Sequence, residues 1–189
     1  MIINNLKEEL KYRKIKIINQ KSNLAAVLIP IIKNNDTYEL IFTKRLNTLP
    51  THAGEVSFPG GLMDLNDTSP EYTAIREAEE EIGISGKNVE ILGRLDDELS
   101  IHKFKVFTYV GYVNSNSKIS DLKFQENEVE KVFTVPISYF YNCNCWTENW
   151  VRRNEKVKVY FYPYDDVIIW GLTGRILSKF LKIFSKYLK

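Results

Sequence analysis

The chain has 189 residues, of which 44% are hydrophobic, and it carries a formal net charge of +2. This length and apolar content fit one globular domain with a sizeable core, and two domains would be cramped. Acidic and basic residues are interspersed, so no global field indicates a nucleic-acid or membrane partner, and we expect neither.

An N-terminal helix and a basic connector are predicted ahead of the domain. The pattern from Asn4 to Tyr12 suits a short helix, and Arg13 to Lys21 is expected to lie loosely on the surface. We therefore divide the chain into residues 1–22, the helix and connector, and residues 23–189, a single domain that includes a C-terminal helix. The charged residues Lys7 and Glu8 indicate that the chain begins without an export signal.

The apolar segments and the cysteines predict a cytoplasmic protein. The longest apolar run, Leu24 to Ile32, is too short to span a bilayer. Cys143 and Cys145 are too close in sequence to link distant parts of the chain, and His52 and His102 are too remote to complete a zinc site with them. We expect two reduced thiols.

Strand patterns in the first part of the chain occupy Ala25–Ile32, Tyr38–Lys44 and Val56–Phe58. The first two predict an antiparallel hairpin at the sheet centre, joined by the turn Asn34-Asn35-Asp36. Pro59-Gly60-Gly61 must then turn sharply. A helix follows from Glu71 to Ile82, with Thr68 or Ser69 as its N-cap, Pro70 as its opening residue and Gly83 as its left-handed C-cap.

The second part of the chain is also predicted to consist mainly of strands. Further strands are predicted at Val89–Leu95, Lys105–Val113, Glu128–Val135, Trp146–Arg152 and Lys156–Tyr162. The connections between these elements are an acidic loop at Asp96-Asp97-Glu98, a turn at Asn114–Ser120, a short helix at Ile137–Tyr141 and a hairpin turn at Asn154-Glu155.

The C-terminal segment, Ile169 to Lys189, has apolar residues at helical spacing and basic residues between them. A helix of this kind covers a face of a sheet more commonly than it lies on a membrane. The elements together predict an α/β (α+β) fold, an α/β/α sandwich on a mixed β-sheet, with the helix at residues 71–82 on one face and the C-terminal helix on the other.

The helix at residues 71–82 is crowded with carboxylates. Glu77, Glu80 and Glu81 stand at i, i+3 and i+4 and share one narrow arc, whereas Glu79 points nearly the opposite way. Like charges at these spacings cost roughly 0.2–0.5 kcal/mol per pair, and the helix C-terminus favours cations instead. Mg²⁺ or Mn²⁺ would convert the repulsion into shared coordination, so we interpret the arc as a metal site rather than a solvated face.

The run from Arg76 to Ile84 looks like the core of the Nudix box, Arg-Glu-apolar-any-Glu-Glu-any-Gly-apolar, with every specified position filled. Upstream, the commonest box has a glutamate six residues after a glycine. Counted from Gly61, that position is Asp67, and Arg76 comes one residue late.

In these two differences from the commonest box, the chain resembles the coenzyme A pyrophosphatase-like branch of the Nudix hydrolases. The similarity extends to Phe42-Thr43-Lys44-Arg45, Gly54, Phe58-Pro59-Gly60-Gly61 and the tail at residues 162–177. The branch also expects a small residue after the arginine and a second arginine five positions on. This chain has Leu46 and Pro50 there.

The resemblance implies a Mg²⁺- or Mn²⁺-dependent hydrolase that cleaves a diphosphate bond. Glu77, Glu80 and Glu81 would hold the metal together with a backbone oxygen of Gly61. Arg76 would organise the glutamates of its own helix. The general base is left open between Glu80, which we favour slightly, and Glu128 from a later loop.

Substrate contacts are predicted at Arg45, which can clamp a phosphate, at His52 and at Gly60. The first functional hypothesis is hydrolysis of coenzyme A or an acyl derivative to 3′,5′-ADP and 4′-phosphopantetheine. The second is another Nudix substrate, such as ADP-ribose or a dinucleoside polyphosphate, which Pro50 favours. The third is a module that binds a nucleotide without cleaving it. The aromatic content is compatible with a homodimer.

Overall fold

The structure is a computed structural model that describes residues 2–20, 22–114, 123–152 and 155–187. Its helices within these ranges are α1 (Ile2–Tyr12), α2 (Pro70–Ile82) and α3 (Gly171–Phe184). Its strands are β1 (Leu24–Asn34), β2 (Thr37–Arg45), β3 (Val56–Ser57), β4 (Gly60–Leu62), β5 (Val89–Arg94), β6 (Glu98–Leu99), β7 (Lys105–Val113), β8 (Val129–Pro136), β9 (Trp146–Arg152), β10 (Glu155–Tyr164) and β11 (Val167–Ile169).

Strand β1 is at the centre of a mixed sheet. It pairs antiparallel with β2, as the hairpin pattern predicts, and parallel with β7. Strands β2, β5 and β8 each pair antiparallel with a neighbour in this sheet, so several strands begin or end along one edge of the sheet. We call it the site edge and define it by Leu24, Arg45, Arg94, Lys105 and Val129.

The helices cover both faces of this sheet. On β1, Ala26 and Leu28 pack toward Ala74 and Ala78 of α2. On the opposite face of the sheet, Ile29 and Ile31 of β1 belong to a second core. The helices contribute Leu6 and Leu10 of α1 and Phe180 and Phe184 of α3 to it. Alternate residues of a strand point to opposite faces, so one strand supplies two cores. The predicted α/β/α sandwich on a mixed sheet is confirmed.

The connector after α1 is held against the sheet, so its prediction as a loose surface segment is wrong. Arg13 Nη2 lies 2.7 Å from Asp96 Oδ1. The N–H of Ile18 donates to Asp97 Oδ2 at 2.9 Å, and the N–H of Asp97 donates to the carbonyl of Lys16 at 3.0 Å. A buried carboxylate needs donors, and the connector provides them.

In the predicted acidic loop, Asp96 and Asp97 do lie between strands, but Glu98 is buried and begins β6. Arg175 Nε lies 2.7 Å from Glu98 Oε2, and Lys179 Nζ lies 2.6 Å from Glu98 Oε1. Arg175 also donates to the carbonyl of Leu99 at 2.8 Å. These contacts attach α3 to the site edge.

The two cysteines form a disulfide, so the prediction of two reduced thiols is wrong. The chain turns after the 3₁₀ helix Ile137–Tyr141. This turn brings the Cα atoms of Cys143 and Cys145 to 5.3 Å, inside the range that a disulfide spans.

Some predicted boundaries differ from the structure. The C-terminal helix begins at Gly171 rather than Ile169, because Ile169 pairs with Tyr162 in β11. Glu155 lies in β10 rather than in a turn. Parts of four predicted segments fall outside the described residues, namely Lys21, 115–120, Asn154 and 188–189.

Asp97→Asn is expected to lower the free energy of unfolding by about 3 kcal/mol, because it breaks buried ion pairs. The Asp97 side chain is fully buried, 2.9 Å from Arg94 and 3.0 Å from Lys105. Urea unfolding at neutral pH measures the change. Asp36→Asn is the control: Asp36 is exposed and lies 3.8 Å from Lys33, so its loss should cost less than about 0.5 kcal/mol. Equal shifts for the two variants would contradict the prediction.

Candidate active site

Two glycines bring the backbone of β4 against α2. In the antiparallel pairing of β4 with β1, Gly60 lies opposite Val27 and Gly61 opposite Ala26. A Cβ on Gly60 would collide with the backbone of those two residues, and one on Gly61 would collide with the carboxylate of Glu77. Only glycine allows this approach, which places the strand backbone beside an acidic side chain.

The ends of α2 follow the predicted capping pattern. Ser69, rather than Thr68, is the N-cap, and its hydroxyl accepts the N–H of Tyr72 at 3.1 Å. Pro70 is the first helical residue, and Gly83 ends the helix in a left-handed conformation with φ 69°. These fixed ends set the rotation of the helix and hence the direction of each glutamate.

Arg76 joins the acidic groups of the site. Its Nε and Nη2 donate to both oxygens of Asp67, at 3.0 and 2.9 Å. Its Nη1 donates to Glu80 Oε2 at 3.0 Å, and its Nη2 lies 2.9 Å from Glu77 Oε1. Nη2 also donates to the carbonyl of Leu62 at 3.3 Å. The predicted organising role, with contacts to glutamates of its own helix, agrees with this geometry.

Asp67 is the residue whose importance the sequence analysis missed. It is buried, and it accepts hydrogen bonds from the N–H of Asp64 and the hydroxyl of Thr73 as well as from Arg76. The Arg76 guanidinium is the main cause that holds the pKa of Asp67 well below its usual range. The only signal in the sequence was its spacing from Gly61 and Arg76.

Glu81 is buried, with 6% of its surface exposed. The pKa of Glu81 is raised to about 8, chiefly by burial and also by the nearby charge of Glu77, against the opposing effects of Arg45 and the N–H of Gly60. Its Oε2 atom is buried and has no hydrogen-bond partner among the described residues. A buried carboxylate oxygen without a donor is costly unless a cation occupies the space beside it.

The three predicted metal ligands differ in exposure and in partners. Glu80 is half-exposed, Glu81 is buried, and both Glu77 and Glu80 pair with Arg76. Burial also raises the pKa of Glu77. Among the described residues, no three acidic, histidine or cysteine side chains are grouped closely enough to hold a metal ion without moving.

The residues present nevertheless fit a divalent cation. Glu77 and Glu81 bring hard oxygen donors together, one oxygen of Glu81 is unpartnered, and the backbone of Gly61 abuts Glu77. The coordinating glutamates need only release Arg76, which keeps its bidentate contact with Asp67.

Arg45 and Glu128 both act electrostatically on Glu81. The charge of Arg45 lowers the pKa of Glu81 and the charge of Glu128 raises it, so both side chains lie within electrostatic range. The N–H of Leu46, directly after Arg45, donates to the carbonyl of Glu128 at 3.0 Å. Arg45 Nε is buried without a hydrogen-bond partner among the described residues.

His52 lies in the loop between β2 and β3, and its Nδ1 is 2.8 Å from Glu55 Oε2. The structure also brings it against His102, with ring centroids 5.7 Å apart, although the two are remote in sequence. No pattern in the sequence indicates this contact.

The NUDIX domain family matches residues 22–158. The chain belongs to this family. It is 39% identical over 166 residues to the uncharacterized Nudix hydrolase NudL of Photorhabdus laumondii, covering 87% of this chain and 86% of that protein. It is 36% identical over 165 residues to the mitochondrial Nudix hydrolase 15 of Arabidopsis thaliana, covering 84% of this chain and 58% of that protein.

A solved structure shows the same fold along most of the chain. The NUDIX domain of Shewanella oneidensis NrtR, solved with ADP ribose, superposes with a TM-score of 0.55 at 14% identity, covering 96% of this chain and 97% of that one. The chain is thus a Nudix hydrolase, a pyrophosphohydrolase that acts on a diphosphate bond. Enzymes of this family generally use divalent metal ions. Within the described residues, no helix is long and apolar enough to cross a membrane.

Asp67→Asn is expected to lower the free energy of unfolding at pH 7 by about 3 kcal/mol, because Arg76 loses its buried partner. The pKa of Asp67 is lower in the folded chain, so its contribution is complete above its ordinary pKa and is lost as the pH falls below about 4. The wild type and the variant should therefore converge in stability on acidification.

Urea unfolding at pH 7, 5 and 3.5 tests this convergence. Asp64→Asn is the matched control, since Asp64 is exposed and 3.9 Å from Arg76, and its substitution should cost less than about 1 kcal/mol. A stability difference for Asp67→Asn that stays constant across the three pH values would count against the ion pair as its cause.

Proposed function

We propose that the chain hydrolyses the diphosphate bond of coenzyme A or its acyl derivatives, giving 3′,5′-ADP and (acyl-)4′-phosphopantetheine. The observation that carries the proposal is that two buried atoms, Glu81 Oε2 and Arg45 Nε, have no hydrogen-bond partner among the described residues, while the charge of Arg45 acts on Glu81. A carboxylate oxygen available to a cation and a guanidinium nitrogen available to an anion suit a metal-bound diphosphate.

Glu77, Glu80 and Glu81, with the backbone oxygen of Gly61, would hold Mg²⁺ or Mn²⁺. When bound, the ion neutralises phosphate charge and aligns and activates the attacking water. Arg76 keeps the glutamates in place through Asp67, and the N–H of Gly60 lies against Glu81.

Glu128 is the better-placed general base in this proposal. Glu80, the other candidate, is half-exposed and accepts a hydrogen bond from Arg76 Nη1 at 3.0 Å. Glu128 acts electrostatically on Glu81 and forms no ion pair with another described residue. A Glu128 carboxylate oxygen would take the proton of the water as the new oxygen–phosphorus bond forms and the bridging oxygen–phosphorus bond breaks.

Arg45 supports the choice of substrate branch. It ends β2 at the site edge, where its guanidinium can donate two parallel hydrogen bonds to a phosphate. His52 and the backbone of Gly60 would complete the substrate contacts. The motif around Arg45 and the tail at residues 162–177 resemble the coenzyme A branch, which supports coenzyme A over a generic nucleotide.

One observation favours a second substrate class. The branch pattern has an arginine where this chain has Pro50. Another nucleoside diphosphate derivative, such as ADP-ribose or a dinucleoside polyphosphate, is therefore the alternative substrate. A non-catalytic nucleotide-binding module is disfavoured, because Glu77, Glu80 and Glu81 are all retained. The cytoplasmic location and the homodimer stay predictions.

A hydrolysis screen tests the function directly. Coenzyme A, ADP-ribose, diadenosine polyphosphates and nucleoside triphosphates are incubated with Mg²⁺ or Mn²⁺, and the products are identified by mass. We expect 3′,5′-ADP and 4′-phosphopantetheine from coenzyme A, at a higher kcat/KM than any other compound gives. Preferred turnover of ADP-ribose would move the chain to the alternative, and no turnover of any compound would indicate the binding module.

Glu81→Gln is expected to lower kcat by roughly 100-fold or more, because it removes the charge of a buried ligand. Steady-state kinetics with the best substrate measures the effect, and circular dichroism confirms the fold. Glu79→Gln is the matched control on the same helix: Glu79 is exposed and accepts only the N–H of Gly86, at 3.3 Å, in the described contacts. Full activity of Glu81→Gln would remove the metal assignment.

A further inference from the structure

The chain contains two histidines in total, and both lie at the contact between two loops. His52 belongs to the loop between β2 and β3, and His102 to the loop between β6 and β7. Their rings are perpendicular, with centroids 5.7 Å apart, and Phe104 lies 6.1 Å from His102. Both histidines are exposed, so burial in a core does not explain why they meet.

The backbone of each loop adopts a left-handed conformation at a residue other than glycine. His52 has φ 57° and Lys103 has φ 64°. Asn35 and Asp165 share this feature in tight hairpin turns, and asparagine, aspartate and histidine are the non-glycine types found in it most often. Such conformations persist where surrounding contacts fix them, and they are concentrated at ligand sites.

Hydrogen bonds hold both loops at the site edge. The N–H of Arg45 donates to the carbonyl of Glu55 at 3.0 Å, and the carboxylate of Glu55 accepts from His52 Nδ1 at 2.8 Å. In the other loop, the N–H of Phe104 donates to Ser100 Oγ at 2.9 Å. His52 is therefore connected through Glu55 to the residue proposed to bind the diphosphate.

The chemistry of these groups suits a phosphate. Because a carboxylate only accepts hydrogen bonds, His52 donates through Nδ1, and a doubly protonated ring can then donate through Nε2 to an anion. His102 and the exposed Lys103 lie beside it. A metal ion is less suitable, since no group of three such ligands occurs among the described residues.

We propose that His52, His102 and Lys103 form a second phosphate subsite, which binds a phosphomonoester of the substrate away from the diphosphate that is cleaved. The inference rests on the proposed function and names its substrate class: a nucleoside diphosphate derivative with an additional phosphate on its ribose, as in coenzyme A. Lys103, directly after His102 in the chain, supplies a positive charge to the subsite.

Binding of products without metal tests the subsite separately from turnover. Isothermal titration compares 3′,5′-ADP, 5′-AMP and inorganic phosphate with the wild type. We expect 3′,5′-ADP to bind about tenfold more tightly than 5′-AMP, the value of one charge-assisted hydrogen bond. His52→Ala and His102→Ala should each reduce this ratio to below about twofold. Ile101→Ala, in the same exposed loop, is the control and should keep the ratio.

The outcomes separate the subsite from the proposed function. Equal affinity of the wild type for 3′,5′-ADP and 5′-AMP, or a ratio that both histidine variants keep, overturns the subsite even if coenzyme A is hydrolysed. If inorganic phosphate binds as tightly as 3′,5′-ADP, the assignment of the subsite to a phosphate group of the substrate is overturned. Selective binding of 3′,5′-ADP with no hydrolysis of coenzyme A supports the subsite and contradicts the proposed function. Thermal unfolding confirms that each variant is folded.

Discussion

The ion pair between Arg76 and Asp67 is the interaction on which the rest of the site depends. The glutamates within two turns of α2 repel one another, which destabilises the helix. Burial of Glu81 adds a further free-energy cost for its charge. Arg76 opposes the repulsion by contacting Glu77 and Glu80, but it can do so only because Asp67 holds two of its nitrogens. The positions of the glutamates therefore depend on a residue outside their helix.

A second set of buried charges fixes the edge of the sheet where this site lies. Asp97 binds the connector after α1, and Glu98 binds α3 through Arg175 and Lys179. Both acids follow β5, whose end is at the same edge as Arg45. The terminal helices are thus joined to the same edge of the sheet as Arg45, a predicted substrate contact. Burial of paired carboxylates requires accurate geometry, which favours a rigid edge.

The central fold could be predicted from the sequence because its signals are local. The capping residues Ser69 and Gly83 fixed α2, and the turn before Thr37 fixed the hairpin of β1 and β2. The site was predictable only where spacing carries meaning, as along α2. The contact of His52 with His102, the burial of Asp97 and the pairing of Cys143 with Cys145 arise from residues that the fold brings together. No periodicity in the sequence reports those contacts.

The most direct test of this account is metal binding without any nucleotide. The unpartnered oxygen of Glu81 implies that α2 and β4 bind a divalent ion through that residue. Titration with Mn²⁺, followed by electron paramagnetic resonance, should show a bound ion in the wild type and in Glu79→Gln, and an affinity lower by about tenfold or more in Glu81→Gln. Equal Mn²⁺ affinity in all three proteins would contradict the account.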